Sequence, residues 1–282
     1  MAGDIEDKLL ALFKSSNPSA KVQRVLEGTS AWPMFYHLTP QRGNLLNWYN
    51  FKNGASLLEV GAEYGALTGT FLKAGLEVTA LEPSPKRRKI IKSRYRGARK
   101  LAIVDSLDKL KRSVKFDYVF CFGVNELILK KTPPYLERLG ILNKFLKPKG
   151  SIILAVDNRF GLKYLSGNPD YYTGRYFDAI EDYPYGGKGN AFARPELEAA
   201  LRKIGLNYQQ WFYPTPDHRL PVEIFSDKLM PKAGRLVSIT SPVLDRNREH
   251  LFSETLAMEL ILQNALFPVF ANSFLVIARR SK

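Results

Sequence analysis

Three acids and two glycines carry the first sign of chemistry in this sequence. In SLLEVGAEYGALTG, residues 56–69, an apolar run reaches Glu59 and Val60 and then breaks at Gly61 and Gly65. Glycines there allow a tight turn and let a ligand approach the backbone, and a following helix would present free N–H groups to it. A phosphate-cradling loop needs a Lys-Ser/Thr pair after its glycines, and none follows. A dinucleotide loop, G-x-G-x-x-G, needs a glycine where Glu63 stands, and a carboxylate beside a pyrophosphate is repulsive. A ligand without phosphate meets no such objection. Glu82, 21 residues after Gly61, ends the next apolar run, where a carboxylate accepts hydrogen bonds from an unphosphorylated ribose diol. Asp105 ends the third run, placing its side chain or Ser106 near the exocyclic amine of an adenine. Gly123 ends the fourth and leaves room for a flat ring. Alone, Glu82 is a surface acid; five residues at successive run ends point to a nucleoside.

These residues need a particular scaffold. Strands are expected at 56–60, 77–82, 100–104, 116–122 and 151–156, with helices at about 66–74, from Pro85 to about Arg94 behind the N-cap Ser84, and at 134–146. Five β-α units with apolar strands predict an α/β fold around a mostly parallel sheet covered on both faces, with the ligand beyond the strands' carboxyl ends. Residues 4–28 read as two helices broken at Ser15-Ser16-Asn17-Pro18, and 40–50 as a third. Residues 158–190, rich in Gly, Tyr, Asp and Pro, are long for a connection and read as a cover over a site. A helix at 194–204 and a strand at 207–213 follow. Residues 214–268 form a second insertion with a helix at about 250–265, and 272–279 is a closing strand. The expected division is a helical extension over 1–50 and one domain over 51–282.

Bulk composition sets outer bounds. The chain has 282 residues, 45% of them hydrophobic, enough for a full core. Its single cysteine, Cys121, excludes a disulfide framework and a cysteine zinc site and suits the cytoplasm; no metal site is expected. No stretch is long and apolar enough to span a bilayer, and the acidic N-terminus does not read as a signal peptide. Of the net charge of +15, +11 falls between Lys86 and Lys115. Such a run is ordinarily a solvated face, and it would also attract a polyanion.

The array E-x-G-x-x-x-G, then Glu82, then Asp105 resembles class I S-adenosylmethionine-dependent methyltransferases, over roughly residues 40–213 and the last strand. The resemblance implies a Rossmann-like sheet of seven strands, the last slotted antiparallel beside the fifth, and S-adenosylmethionine as cofactor. Its cofactor-binding set would be Glu59, Gly61, Ala62, Gly65, Glu82, Pro83, Asp105, Ser106 and Gly123. It also implies that Tyr36 and Arg42, just upstream, close over the methionine part, Arg42 pairing with its carboxylate. The usual pattern has a glycine at Glu63. More loosely, YHLTPQRGNLLNW, NRFGLKYLSGNPDYYTGRYFDAIEDYP, YPTPDHRLP and FANSFLVIA resemble bacterial methyltransferases associated with glycosyltransferases in cell-surface polysaccharide systems.

Methyl transfer from a sulfonium is an in-line displacement that needs alignment and exclusion of water. A hydroxyl acceptor usually needs a base; a phosphate or carboxylate does not. Candidate acceptor-side residues are Glu126 after the fourth strand, Asp157, Asn158 and Arg159 after the fifth, with Asn158 and Arg159 the better placed to contact an acceptor, and His218, beside Asp217, after the sixth. His218 also reads as an ordinary loop histidine. The sequence TPPY at 132–135 lies ten residues past the strand end at which an amine-holding N/D-P-P-Y tetrad would sit, so it reads as a loop entering a helix. Tyr171, Tyr172, Tyr176, Tyr183 and Tyr185 could stack on sugars or bases, or pack the cover. Three functions stand: methylation of a sugar, glycan or glycan-linked phosphate; methylation of RNA held by the basic run 86–115; or binding without catalysis on a methyltransferase-like fold.

Overall fold

The computed structural model describes residues 2–28, 31–111, 113–122, 135–186, 191–236 and 247–281. Gly123, Glu126 and Thr132-Pro133-Pro134 lie outside them. The chain folds as two compact units. The first comprises Met1–Phe120, Glu126–Pro133 and Lys144–Gly150, and the second Cys121–Asn125, Pro134–Asn143 and Ser151–Lys282.

In the first unit, β1 (Ser56–Val60), β2 (Glu77–Leu81), β3 (Leu101–Val104) and β4 (Phe116–Phe122, whose last two residues belong to the second unit) stand in the order β3-β2-β1-β4. β1 pairs with β2 and β2 with β3, both in parallel. Leu57, Leu58, Val78, Ala80 and Leu81 are buried, as expected of strands covered on both faces. The N-terminal residues form α1 (Ala2–Lys14) and α2 (Pro18–Gly28), broken where Asn17-Pro18 interrupts the helix. Leu9, Leu12 and Phe13 of α1 pack with Leu38, Tyr64 and Ile90, so its apolar stripe is spent on its own unit. The helix expected over 40–50 is instead α3 (Trp32–Leu38) followed by a 3-10 turn at Pro40–Leu45. Thr39, held extended by the following proline, ends α3, and its hydroxyl accepts from Gln41 N. After the glycine loop comes α4 (Thr68–Lys73), and α5 (Pro85–Arg94) begins at Ser84, whose hydroxyl accepts from Arg87 N.

The fifth strand, β5 (Leu146–Asn158), is longer than expected because KPKG continues the strand, and its residues from Ser151 belong to the second unit. α6 (Tyr135–Asn143) precedes β5, and after it come α7 (Leu162–Leu165), β6 (Ala191–Phe192), α8 (Arg194–Lys203), β7 (Tyr208–Thr215), β8 (Glu223–Ser226), α9 (Glu254–Gln263), α10 (Phe267–Phe270) and β9 (Ser273–Arg279). β9 lies antiparallel to β5, with Val156 opposite Phe274, and antiparallel to β7, with Trp211 opposite Val276. The α/β, Rossmann-like class is as expected. The described residues hold nine strands, not seven, because each insertion adds one: β6 pairs with the tip of β5, and β8 with β7.

Candidate functional site

The glycine loop hangs from the end of β2. Gly61 N and Ala62 N both donate to Leu81 O, at 3.0 and 3.1 Å. Gly61 and Gly65 take φ of +75°, which a side chain adopts only under strain. A Cβ on Gly61 would meet nothing within 4 Å, whereas one on Gly65 would come within 2.9 Å of the Tyr95 ring. Gly61 therefore leaves room beside the backbone, while Gly65 is needed for packing. Glu63, where the family pattern has glycine, also adopts the left-handed conformation, with φ +51°. The loop keeps its shape and Glu63 bears the strain. Its side chain lies 3.7 Å from Arg42 Nη1, and the Arg42 guanidinium stacks 4.2 Å over the Tyr36 ring. Tyr36 and Arg42, both buried, are thus brought against the loop.

Replacing Glu63 by glycine removes a strain of about 1 kcal/mol and also the half-exposed ion pair, of similar worth, so stability should change by less than about 1 kcal/mol. Glu63→Val, a branched side chain forced to positive φ, should cost about 1–3 kcal/mol. Thermal melts of the two variants separate these outcomes; equal melts would mean that the loop rearranges.

Glu82 is buried, and its carboxylate ties the site together. Oε2 accepts from Glu63 N at 2.9 Å and Oε1 from Ser84 N at 2.8 Å. Burial raises its pKa, opposed by the Ser84 N–H and by Arg87. Each oxygen keeps a second lone pair for a further donor. Pro83 follows, and its carbonyl accepts from Arg88 Nη1 at 2.5 Å. Asp105 is bonded by Lys109 at 2.6 Å, which lowers its pKa, while its Oδ1 is shielded and has no hydrogen-bond partner. Ser106 precedes a 3-10 turn at Leu107–Lys109 without capping it through its side chain.

Glu59 departs from expectation. Its carboxyl is buried and accepts from Thr68 Oγ1 at 2.6 Å, so it anchors the start of α4 instead of presenting itself to a ligand. Burial, only partly opposed by Thr68, pushes its pKa up to about 8. α4 starts two residues later than expected, so the turn at 63–67, not a helix end, follows the glycines.

Part of the basic run is spent on the fold. Lys86 pairs with Asp7 at 2.8 Å and Arg87 with Glu6 at 3.3 Å, which fastens α1 to α5. Arg88 donates to Glu82 O at 2.9 Å, and Arg94 donates to His37 O and Tyr64 O at 3.0 and 3.1 Å. Lys89, Lys92, Arg96, Arg99 and Lys100 stay exposed.

Of the acceptor-side candidates, Asn158, Arg159 and His218 lie in the second unit. Asn158 is buried, and its amide is fully used: Nδ2 donates to Val269 O and Ala271 O, both at 2.7 Å, and Oδ1 accepts from Phe160 N at 3.1 Å. Its role is to lock the cover to the chain before β9. Arg159 pairs with Asp182 at 2.9 Å and with Glu196 at 3.3 Å. His218 is no loop histidine on the surface: it is buried against the Phe122 ring at 4.8 Å, and neither ring nitrogen has a hydrogen-bond partner. Burial and then Arg219 lower its pKa to about 3, which removes it as a base poised near neutrality. Asp217 does not orient it, because that carboxylate serves Lys163 at 3.2 Å and Arg219 at 3.4 Å.

Sequence reasoning named Asp157 only as one of three candidates at the end of the fifth strand and did not find its partners. Asp157, fully buried at the end of β5, accepts from Lys163 Nζ at 2.6 Å and from both Arg219 amino groups at 2.9 and 2.6 Å. With Asp217 these make a closed set of two cations and two carboxylates. Burial raises the pKa of Asp157, but Arg219 and Lys163 outweigh it and hold the carboxyl well below its usual value; Asp217 is held at about 2 by the same cations. Lys163 and Arg219 sit in insertions without strand or helix periodicity, so no pattern announced them. Of the five tyrosines, Tyr183 is structural, donating to Asp170 Oδ2 at 3.3 Å and accepting from Ala191 N at 3.2 Å. Tyr171 lies 4.1 Å from the Arg219 guanidinium. Among the described residues no cluster suited to a metal ion occurs, and no helix is long and apolar enough to cross a membrane.

No curated protein matches the sequence. Among solved structures, the complex between the Haloferax volcanii Trm112 methyltransferase activator and a methyltransferase is 14% identical, covering 95% of this chain and 98% of that one, with a TM-score of 0.49. A Haemonchus contortus phosphoethanolamine N-methyltransferase with S-adenosylhomocysteine is 13% identical, covering 97% and 60%, at 0.49. A SAM-dependent methyltransferase from Thiobacillus denitrificans with S-adenosylhomocysteine is 17% identical, covering 61% and 67%, at 0.43. Likeness of this depth names no acceptor. A family model described as a methyltransferase domain matches residues 34–210, the stretch that holds the glycine loop, Glu82 and Asp105. The chain belongs to this methyltransferase-domain family and is an S-adenosylmethionine-dependent methyltransferase.

Proposed function

We propose that the enzyme methylates a sugar or glycan. The carrying observation is the cover segment. Tyr171 and Tyr176 are each 41% exposed and Tyr185 79%, so flat rings with polar rims face solvent along a turn-rich stretch held by Asp170 and Asp178. Such rings suit the apolar faces of sugars. The RNA alternative loses ground because Arg87, Arg88 and Arg94 serve the fold. A non-catalytic role loses ground because Glu63 preserves the loop that its side chain put in doubt.

The cofactor fits the residues present. The free lone pairs of Glu82 suit the ribose hydroxyls, the unpartnered Asp105 Oδ1 suits the adenine amine, and Arg42, steadied by Tyr36 and Glu63, suits the methionine carboxylate. When bound, S-adenosylmethionine supplies an activated methyl group; the loop residues bind and orient it. Glu82→Ala should weaken cofactor binding more than tenfold, about 1.4 kcal/mol, by calorimetric titration. Unchanged affinity would contradict the ribose assignment. The acceptor is tested by transfer of labelled methyl from S-adenosylmethionine to oligosaccharides against RNA. Label in RNA and none in oligosaccharide would overturn the glycan reading.

A further inference from the structure

Resting on the glycan reading, we infer that Tyr164, Asn168 and His218 form the hydrogen-bonding part of a binding site for a neutral polyhydroxyl acceptor. All three side chains are at most 2% exposed. The Tyr164 hydroxyl, both polar atoms of the Asn168 amide and both ring nitrogens of His218 have no hydrogen-bond partner. Buried polar groups are nearly always bonded, because leaving one unmet forfeits its hydration without return. Five such atoms on two short segments, 164–168 and 218, are too many to dismiss as packing faults.

Their surroundings define the ligand. Lys163 Nζ lies 5.0 Å from the Tyr164 ring, and Arg219 follows His218 in the chain. Both cations are matched by Asp157 and Asp217. An incoming phosphate or carboxylate would find no uncompensated positive charge and would have to displace a buried carboxylate. The unmet groups are a neutral imidazole, a phenol and a carboxamide, each able both to donate and to accept. Hydroxyl groups have the same double capacity, so a ring bearing several hydroxyls is the matching ligand. Arg219, stacked on Tyr171, links this polar set to the solvent-facing rings of the cover. The acceptor group is thereby narrowed to a sugar hydroxyl in preference to a glycan-linked phosphate.

The test uses the full chain and simple probes: methyl glycosides of glucose, galactose, mannose and rhamnose, and glucose 1-phosphate. Binding is read by saturation-transfer NMR, with S-adenosylmethionine titrated in parallel. At least one neutral glycoside should bind and the phosphate should bind no better. Tyr164→Phe and Asn168→Leu should each weaken glycoside binding at least tenfold, leave cofactor affinity unchanged and leave Tm unchanged or higher, since each removes an unmet polar group. The proposal is overturned if no glycoside binds, if glucose 1-phosphate alone binds, or if the variants lower Tm without touching glycoside binding. The last result would mark these atoms as seats of structural water. Cofactor titration separates the two readings: a folded chain that binds no S-adenosylmethionine fails as a methyltransferase, whereas one that binds it but no glycoside fails only here.

Discussion

Replacing Arg219 with methionine is expected to destabilise the protein by about 3–5 kcal/mol, the range for removing one partner of a buried ion pair. Asp157 is 0% exposed and takes two of its three charged hydrogen bonds from Arg219, at 2.9 and 2.6 Å. Without them one carboxylate is left uncompensated in the set. Urea denaturation would register the loss as a lower midpoint at constant slope. A second variant checks the cause: Arg219→Met with Asp157→Leu removes both charges and should recover part of the loss. If the double variant is no more stable than the single one, lost packing around Tyr171 is the cause, not the stranded charge.

The other large effect concerns Glu59 and pH. Its pKa in the fold is about 8 against an ordinary 4.5. The folded state therefore holds this proton more tightly than the unfolded chain. Its contribution is full below about pH 4.5 and is lost as pH rises through 8, amounting to about 5 kcal/mol across that window at 1.36 kcal/mol per unit. Glu59→Gln keeps an acceptor for Thr68 Oγ1 and has nothing to ionise. The variant should match the parent near pH 4 and exceed it in stability at pH 8–9. Parallel stability–pH curves would show that Glu59 is ionised in the fold. At the acid end the sign reverses: Asp217, held at about 2, supports the fold above its ordinary pKa and that support fades as pH falls through 2.

Much of the first unit was legible because its signals are local. Strand β1 begins and ends where the apolar run SLLEV does, and Ser84-Pro85 marks the start of α5 to the residue. These follow from period, capping chemistry and proline geometry, which need no partner from elsewhere in the chain. The helix missed at 32–38 and the false one at 40–50 turned on Thr39-Pro40, where one restricted residue moved the boundary. Glu63 could be flagged from the sequence as a departure, but only its φ of +51° shows that the loop retains a glycine's conformation.

The second unit was less legible because its decisive contacts join distant residues. Asp157 and Arg219 are 62 positions apart, and Asn158 reaches carbonyls more than a hundred positions away. Asn158, Arg159 and His218 looked alike in the sequence as polar residues past strand ends. Packing divided them into a lock, a surface ion pair and a buried neutral ring. By itself the sequence determined the fold class and the placing of the glycine loop and of the acids at the strand ends, since strand ends and turns are set by neighbours. Tertiary structure decided which carboxylates stay free and which charges cancel, because burial and pairing depend on segments that only folding brings together.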